Sequence, residues 1–376
     1  MEWLSTEELI PLQWYRRMRA ESPLIHTEDD AWSCFSYDAV KTVLTDYEHF
    51  SSQFNKEPSP KEPIESSVLR IDPPRHKQMR TLVSKVFTPK AIEEMAAHIA
   101  NIAGSLLDEM AGNSDCDFVR DFASPLPIMV IAEMLGIPYR DQERFKAWSD
   151  ALVGNDYDQY LRCQEEMSVY FAAIAAERRV HPQQDLISKL VHARVDGEKL
   201  DEVELIGFCM LLLVAGNETT TNLLSSAMLC LDERPDLYSE LAADRTLVPP
   251  TVEEVLRYCS PVQAMPRRVA KSTELFGQQL SEGQYVNVWI GSANHDERVF
   301  ASPEMFDIRR KPNPHLAFGQ GIHFCLGAAL ARLEAKVALS ALLNRFRMVR
   351  RDRSVPLERL DSSIIFGVKR LPIALM

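Results

Sequence analysis

The stretch Phe318-Gly319-Gln320-Gly321-Ile322-His323-Phe324-Cys325-Leu326-Gly327 runs straight into the helical pattern Ala328-Ala329-Leu330-Ala331-Arg332-Leu333. It puts a cysteine at a helix start, where unpaired backbone N–H groups and the positive end of the helix dipole favour a thiolate over a thiol. Gly319 and Gly321 lack Cβ, so the backbone can approach a flat ligand and adopt positive φ. Upstream, Val299 to Phe324 holds Pro303, Pro312 and Pro314 besides the two glycines and has no sustained period. A long irregular loop in a compact chain is usually functional. Read alone, however, this is also how a buried packing cysteine after a Gly-rich turn looks.

The 376 residues are 46% hydrophobic and 26% charged, enough for a large core. A formal charge of -12 argues against a nucleic-acid partner, which needs a basic face. Met1 to Glu8 has neither the positive nor the apolar region of a signal peptide. The longest strongly apolar stretch, Leu205 to Gly216, falls short of the roughly 20 residues of a membrane-spanning helix. A cytoplasmic protein without a membrane anchor is expected. Seven cysteines without CxxC spacing fit reduced thiols rather than a disulfide framework.

Apolar residues recur at three- and four-residue spacing over Ala91 to Met110, Pro127 to Leu135, Glu165 to Arg179 and Asp201 to Leu231, which predicts a mainly α chain. Pro23 to Ser36, and Leu275 to Ile290 with turns near Gly277 and Gly283, predict small antiparallel hairpins. No repeat or linker divides the sequence, so residues 1–376 are expected to form one domain.

A second unusual segment, Ala215-Gly216-Asn217-Glu218-Thr219-Thr220-Thr221, interrupts the Leu-rich helix. Mid-helix glycine costs roughly 1 kcal/mol relative to alanine, and three β-branched residues lose rotamer freedom. Such violations are expected where function overrides stability. A kink relieved by hydroxyl bonding to the preceding turn would leave the same pattern.

The ten-residue cysteine string matches the heme-binding signature of the cytochrome P-450 family, Phe-Gly-x-Gly-x-His-x-Cys-x-Gly, at every fixed position. Ala215 to Thr219 resembles that family's oxygen-activation motif, Ala-Gly-x-(Asp/Glu)-Thr. The likeness runs from Trp32 to Ile364-Ile365-Phe366-Gly367 and is nearest to soluble bacterial, notably bacillar, hydroxylases of fatty acids, terpenoids and steroids. It implies a mainly α fold with small antiparallel sheets, holding heme b between a long central helix and the helix after the cysteine loop. Cys325 would be the thiolate ligand to iron, which favours O–O cleavage. Phe318 and Gly327 would flank the cofactor. Thr219 would hydrogen-bond the oxygen ligand or its ordered water, Glu218 would relay protons, and Ala215 and Gly216 would leave room above the iron.

The resemblance gives further residues their roles. Glu254 and Arg257, with Arg310 chosen over Arg309, match the Glu-x-x-Arg clamp that holds the cysteine loop. His76 and Arg80, in Asp72-Pro-Pro-Arg-His76-Lys-Gln-Met-Arg80, match propionate ligands, with His323 a further one. Of the two arginines in the following strand, Arg268 fits the Arg-x-Ala register better than Arg267. Val68-Leu69, Leu211-Leu212, Val262, Ala264-Met265 and Ile364-Ile365-Phe366 would line an apolar substrate pocket. His295 stands where Arg is commoner, and the stretch between Phe145 and Glu165 is short for the family.

The implied reaction is monooxygenation: one atom of O2 enters a C–H bond of an apolar small molecule and the other leaves as water. Only 51 residues follow Cys325, so a ferredoxin with an NAD(P)H-dependent ferredoxin reductase is the expected electron source for a monomeric enzyme. An acidic ferredoxin needs a local basic patch, for which Lys77, Arg80, Lys85, Arg310, Lys311 and Arg332 are candidates. Two other readings stand beside this one. A peroxide-driven peroxygenase or decarboxylase would replace the Glu218–Thr219 pair with an arginine-containing arrangement, and a non-catalytic heme sensor would have no need of Thr219.

Overall fold

A computed structural model describes residues 10–27, 30–54, 62–112, 115–153, 156–195 and 197–376. The helices are α1 (Leu12–Glu21), α2 (Tyr37–Thr45), α3 (Arg75–Val86), α4 (Pro89–Glu93), α5 (Ala96–Ala111), α6 (Pro125–Leu135) and α7 (Gln142–Val153). They continue as α8 (Tyr157–Val180), α9 (Leu186–His192), α10 (Glu202–Glu233), α11 (Pro235–Ala243), α12 (Val248–Tyr258), α13 (Ile290–Ala293) and α14 (Ala328–Arg345).

Strands are short: β1 (Leu24–His26), β2 (Trp32–Cys34), β3 (Phe50–Ser51), β4 (Met265–Val269), β5 (Thr273–Leu275), β6 (Gln278–Leu280), β7 (Tyr285–Val288), β8 (Val349–Arg351) and β9 (Ile373–Leu375). β1 and β2 form the expected first hairpin. Only half of the second is a hairpin. β5 and β6 pair across Phe276-Gly277, both at positive φ, whereas β7 leaves to join a five-stranded sheet ordered β1-β2-β7-β4-β3. That sheet is mixed, because β2 runs parallel to β7.

α10 is the axis of the molecule. Asp201 and Glu204 form a reciprocal capping box, and Arg75 at the start of α3 grips the same Glu204, its Nε 2.5 Å from Oε1. The helix is apolar and long enough to cross a bilayer, yet 67% of its most apolar window is buried against neighbouring elements. It packs on α6, α7, α8, α12 and α14 and anchors the main apolar core. Two predicted helices differ from expectation. Ala91 to Met110 breaks at Glu94-Met95 into α4 and α5, since Pro89 and the Thr88 cap define their own short turn. The segment from Glu165 extends back to Tyr157, where the Asp156 side chain caps α8 by accepting from the Gln159 N–H. Three residues, 154–156, connect α7 to α8.

Candidate active site

The irregular stretch before Cys325 is held by a buried carboxylate. Glu254 on α12 takes a bidentate pair from Arg257, Nε at 2.9 Å and Nη2 at 2.7 Å. It also accepts from Arg310 Nε at 3.2 Å, Asn313 Nδ2 at 3.2 Å and the Asp307 N–H at 2.9 Å. The arginines spread outward to backbone carbonyls: Arg257 to Asn294, Pro303 and Met305, and Arg310 to Ala301, Ser302 and Met305. Loop backbone with no ladder thus finds its partners in two guanidinium forks. Of the two adjacent arginines, Arg310 reaches Glu254, whereas Arg309 pairs with Glu240 at the surface.

A second carboxylate braces the loop from α12. Glu253 accepts from Arg332 Nε at 2.7 Å and Nη2 at 2.8 Å and lies 3.0 Å from His315 Nε2. Burial alone would raise Glu253, but these hydrogen bonds and charges bring it to about 2. The Arg332 guanidinium sits 4.4 Å from the centre of the Phe318 ring, and the Phe318 carbonyl accepts the Cys325 N–H at 2.9 Å. Gly321, at φ +76°, packs so tightly on α2 that a Cβ would come within 2.8 Å of the Leu44 carbonyl oxygen.

Cys325 keeps accessible surface although its sulfur lies deep in the chain, whereas the other six cysteines are closed off. It lies three residues before α14, whose N-cap is Gly327. The expectation of a depressed thiol pKa is overturned for the chain by itself. Burial pushes the Cys325 thiol up, and the Gly327 and Ala328 N–H groups with the charges of Arg80 and Arg332 pull it back only in part. A coordinating metal ion removes a thiol proton outright, so the pull of iron would settle the matter in the loaded protein.

Beside the loop stand the anion-binding residues. Arg80 Nη2 donates to the Phe324 carbonyl at 2.5 Å. The His76 and His323 rings are 4.4 Å apart, and the Nε2 of each is buried without a hydrogen-bond partner, that of His323 lying 3.5 Å from Asp72 Oδ1. Burial, with the charges of His323 and Arg80, takes His76 down to about 4, and burial lowers His323 too. Both rings are therefore neutral N–H donors near pH 7.

Of the two strand arginines, the structure turns Arg267 inward rather than the expected Arg268. Adjacent strand residues point to opposite faces, and β4 turns Arg267 inward with Val269. Arg268 stays half-buried, with Nε donating to the Gln53 carbonyl. Arg267, 4% exposed, is pushed down to about 10 by burial and the like charge of Arg70, the condition of a cation short of an anion. The signal lay in the sequence, since a valine two residues away marks the buried face. These groups fit a heme: the unpartnered His76 nitrogen, a His323 nitrogen held only at 3.5 Å by Asp72 and two arginines suit a pair of propionates, and the accessible sulfur suits iron.

α10 supplies a different surface. From Glu204 to Asp232 it is buried except at Leu211, Leu212, Val214, Ala215, Gly216, Glu218 and Thr219, positions that recur at helical spacing and form one open stripe. Ala215 is the most open of them. Thr219 Oγ1 donates to the Ala215 carbonyl at 2.6 Å, and the helix stays continuous through the polar turn. Glu218 Oε1 accepts from Asn222 Nδ2 at 3.1 Å. Gly216 also packs closely on α6: a Cβ there would come 2.9 Å from Ile131 Cδ1, so that side chain would have to shift. Asn217, between them, donates to Ser149 Oγ of α7 at 2.6 Å.

Of the expected pocket residues, Leu69, Leu211, Leu212, Val262, Met265, Ile364 and Ile365 keep open surface, and Val262 bridges to Ile365. Val68, Ala264 and Phe366 do not. Val68 is part of the main core, while Ala264 and Phe366 pack with Tyr15, Phe35 and Trp289 in a separate aromatic cluster drawn from distant segments. Among the expected basic-patch residues, Lys77, Lys85 and Lys311 are exposed. Arg310 is withdrawn into the clamp and Arg332 is engaged by Glu253.

A sequence model described as Cytochrome P450 matches residues 142–375. The chain is 43% identical to Cytochrome P450 109 of Bacillus spizizenii, covering 99% of this chain and 94% of that one. It is 39% identical to the erythromycin C-12 hydroxylase of Saccharopolyspora erythraea, over 98% and 95% of the two chains. The crystal structure of CYP109E1 from Bacillus megaterium in complex with testosterone superposes with a TM-score of 0.92 at 42% identity, covering 98% of this chain and 99% of that one.

Proposed function

The chain belongs to the cytochrome P450 family of heme b monooxygenases, and we propose that it hydroxylates an apolar small molecule, steroid-like, terpenoid or fatty acid, with two electrons from a ferredoxin and its NAD(P)H-dependent reductase. When bound, the heme supplies the oxygen-activating chemistry through a thiolate-ligated iron. The polypeptide does the rest. Cys325 is the ligand; His76, Arg80, Arg267 and His323 hold the propionates; the two carboxylate clamps keep the cysteine loop from shifting under the cofactor. On the other side, the hydroxyl of Thr219 is placed to donate a hydrogen bond into the open stripe once it leaves the Ala215 carbonyl. The Glu218 carboxyl carries protons to it, and Leu211, Leu212, Met265, Ile364 and Ile365 desolvate an apolar substrate.

One observation carries the reading: the unpartnered nitrogen of buried His76, the ring of His323 beside it and an anion-short arginine gather beside the one cysteine with accessible surface. The steroid class is supported by the testosterone complex of the 42% identical CYP109E1.

The test is the absorption spectrum of the purified protein, reduced with dithionite and exposed to carbon monoxide, against Cys325→Ser. A strongly red-shifted Soret band in the wild type, lost in the variant, is expected. An imidazole-type band in both would remove Cys325 from the iron. Thr219→Ala should then divert electrons from product to peroxide, and turnover with peroxide alone exceeding that with ferredoxin and reductase would reverse the assignment of the electron source.

A further inference from the structure

Beyond the bridge of Ile365 to Val262, the C-terminal segment returns to α10 at a single crowded point. Gly367 is buried there. A Cβ on it would lie 2.5 Å from Asn222 Cγ and 2.8 Å from Leu360 Cδ1, and closer still to the Asn222 carboxamide oxygen. The space that any other side chain needs is filled by this carboxamide, and packed interiors yield little. Asn222 is 1% exposed and one turn beyond Glu218, to which its Nδ2 donates at 3.1 Å. The amide orientation follows from chemistry, since the carboxylate calls for the NH2 and leaves the oxygen toward Gly367.

We propose that Gly367 is a positioning residue for proton delivery. By carrying no side chain it lets Asn222 hold the Glu218 carboxylate, so the segment that presents Ile364 and Ile365 to substrate also sets the aim of the acid on α10. The inference rests on the reading of Glu218 and Thr219 as the proton-delivering pair. A methyl group at 367 displaces the carboxamide, the Glu218 carboxylate loses the Asn222 N–H, and protons arrive late. O2 then takes two electrons and two protons to leave as hydrogen peroxide, where coupled turnover takes the same electrons and protons to give hydroxylated product and water.

The test uses the heme-loaded enzyme with its reductase system and the variants G367A, N222A, E218Q, G367A/E218Q and G367A/N222A. The reduced carbon monoxide spectrum serves as the folding control. G367A and N222A should each raise peroxide released per NAD(P)H by about threefold and enlarge the solvent deuterium isotope effect on O2 consumption, with substrate affinity held within about twofold. Both should speed amide hydrogen exchange across residues 215–223, with or without heme. G367A should add nothing to E218Q, because the two act on one carboxylate.

Wild-type coupling and isotope effect in G367A, with E218Q strongly impaired, overturn the proposal and leave the reading of Glu218 intact. A silent E218Q overturns both. Multiplicative losses in G367A/E218Q also overturn it. Should G367A fail to take up heme, G367A/N222A decides: recovery to the N222A level supports the proposal, since truncation makes room for the methyl, and no recovery overturns it.

Discussion

The cysteine side and the α10 side of the site are built from opposite materials. On the first, Glu254 is fully buried and takes hydrogen bonds from Arg257, Arg310, Asn313 and a backbone N–H, so loop geometry is fixed by charge-assisted bonds that tolerate little movement. On the second, Leu211, Leu212, Ala215 and Thr219 present an apolar stripe with open surface, which adapts to whatever packs on it. A ligand bond to iron requires one geometry, whereas substrate binding is served by a surface whose shape can drift. The contrast gives an order of expected effects.

The largest belongs to the clamp. Glu254→Ala leaves two buried guanidinium groups without their anion, and breaking such an assembly costs about 3–5 kcal/mol. Denaturant unfolding and heme retention measure it; a loss under about 1 kcal/mol would mean that the loop holds itself.

Next is His295, buried on the same side with Nδ1 2.8 Å from the Gly291 carbonyl. Burial, with the charges of Arg257, Arg19 and Arg310, lowers it to about 3. The unfolded chain binds this proton near pH 6.5 and the folded chain does not. Stability is therefore full above about 6.5 and falls with decreasing pH toward 3, by up to about 1.4 kcal/mol per pH unit. His295→Gln should flatten that acid limb, and an unchanged slope would transfer the effect to other groups.

On the stripe, Leu211→Ala should cost no more than about 1.5 kcal/mol, because the side chain is already partly open. It should nevertheless change the spin-state shift on titration with testosterone. A stability loss equal to that at Glu254 would erase the contrast. The smallest stability effect is expected from Lys77→Glu with Lys85→Glu, within about 0.5 kcal/mol. Their signature is slower ferredoxin-driven turnover with a weaker salt dependence.

The same contrast governs what could be read from sequence. Cys325, the glycines before it, and the Glu254–Arg257–Arg310 set were legible through the family resemblance, because fixed geometry keeps fixed residue types at fixed spacing within a family. Arg267 was missed because the family spacing was followed instead of the strand register that Val269, two residues on, marks. The burial of Ala264 and Phe366 was out of reach for another reason: their cluster joins α1, the exit of β2, α10, the end of α12, the exit of β7 and the C-terminal segment, and no local pattern shows which distant chains will meet. The packing role of Gly216 depended on Ile131 in the same way. The break at Glu94-Met95 lies within a continuous apolar period, and only the capping chemistry of Thr88 and Pro89 marks the start of its own short helix.

The link between α7 and α8 has a kinetic consequence. With only residues 154–156 between Val153 and Tyr157, four Cα–Cα steps of about 3.8 Å tether the helix ends within roughly 15 Å of each other at full stretch. Neither helix can swing far without towing the other, and α7 is tied to α10 through Ser149 and Asn217. A bulky guest whose entry requires α7 to move must wait for both helices to move together. Its association rate would then be limited by that joint excursion, and small guests would enter faster than large ones of equal affinity.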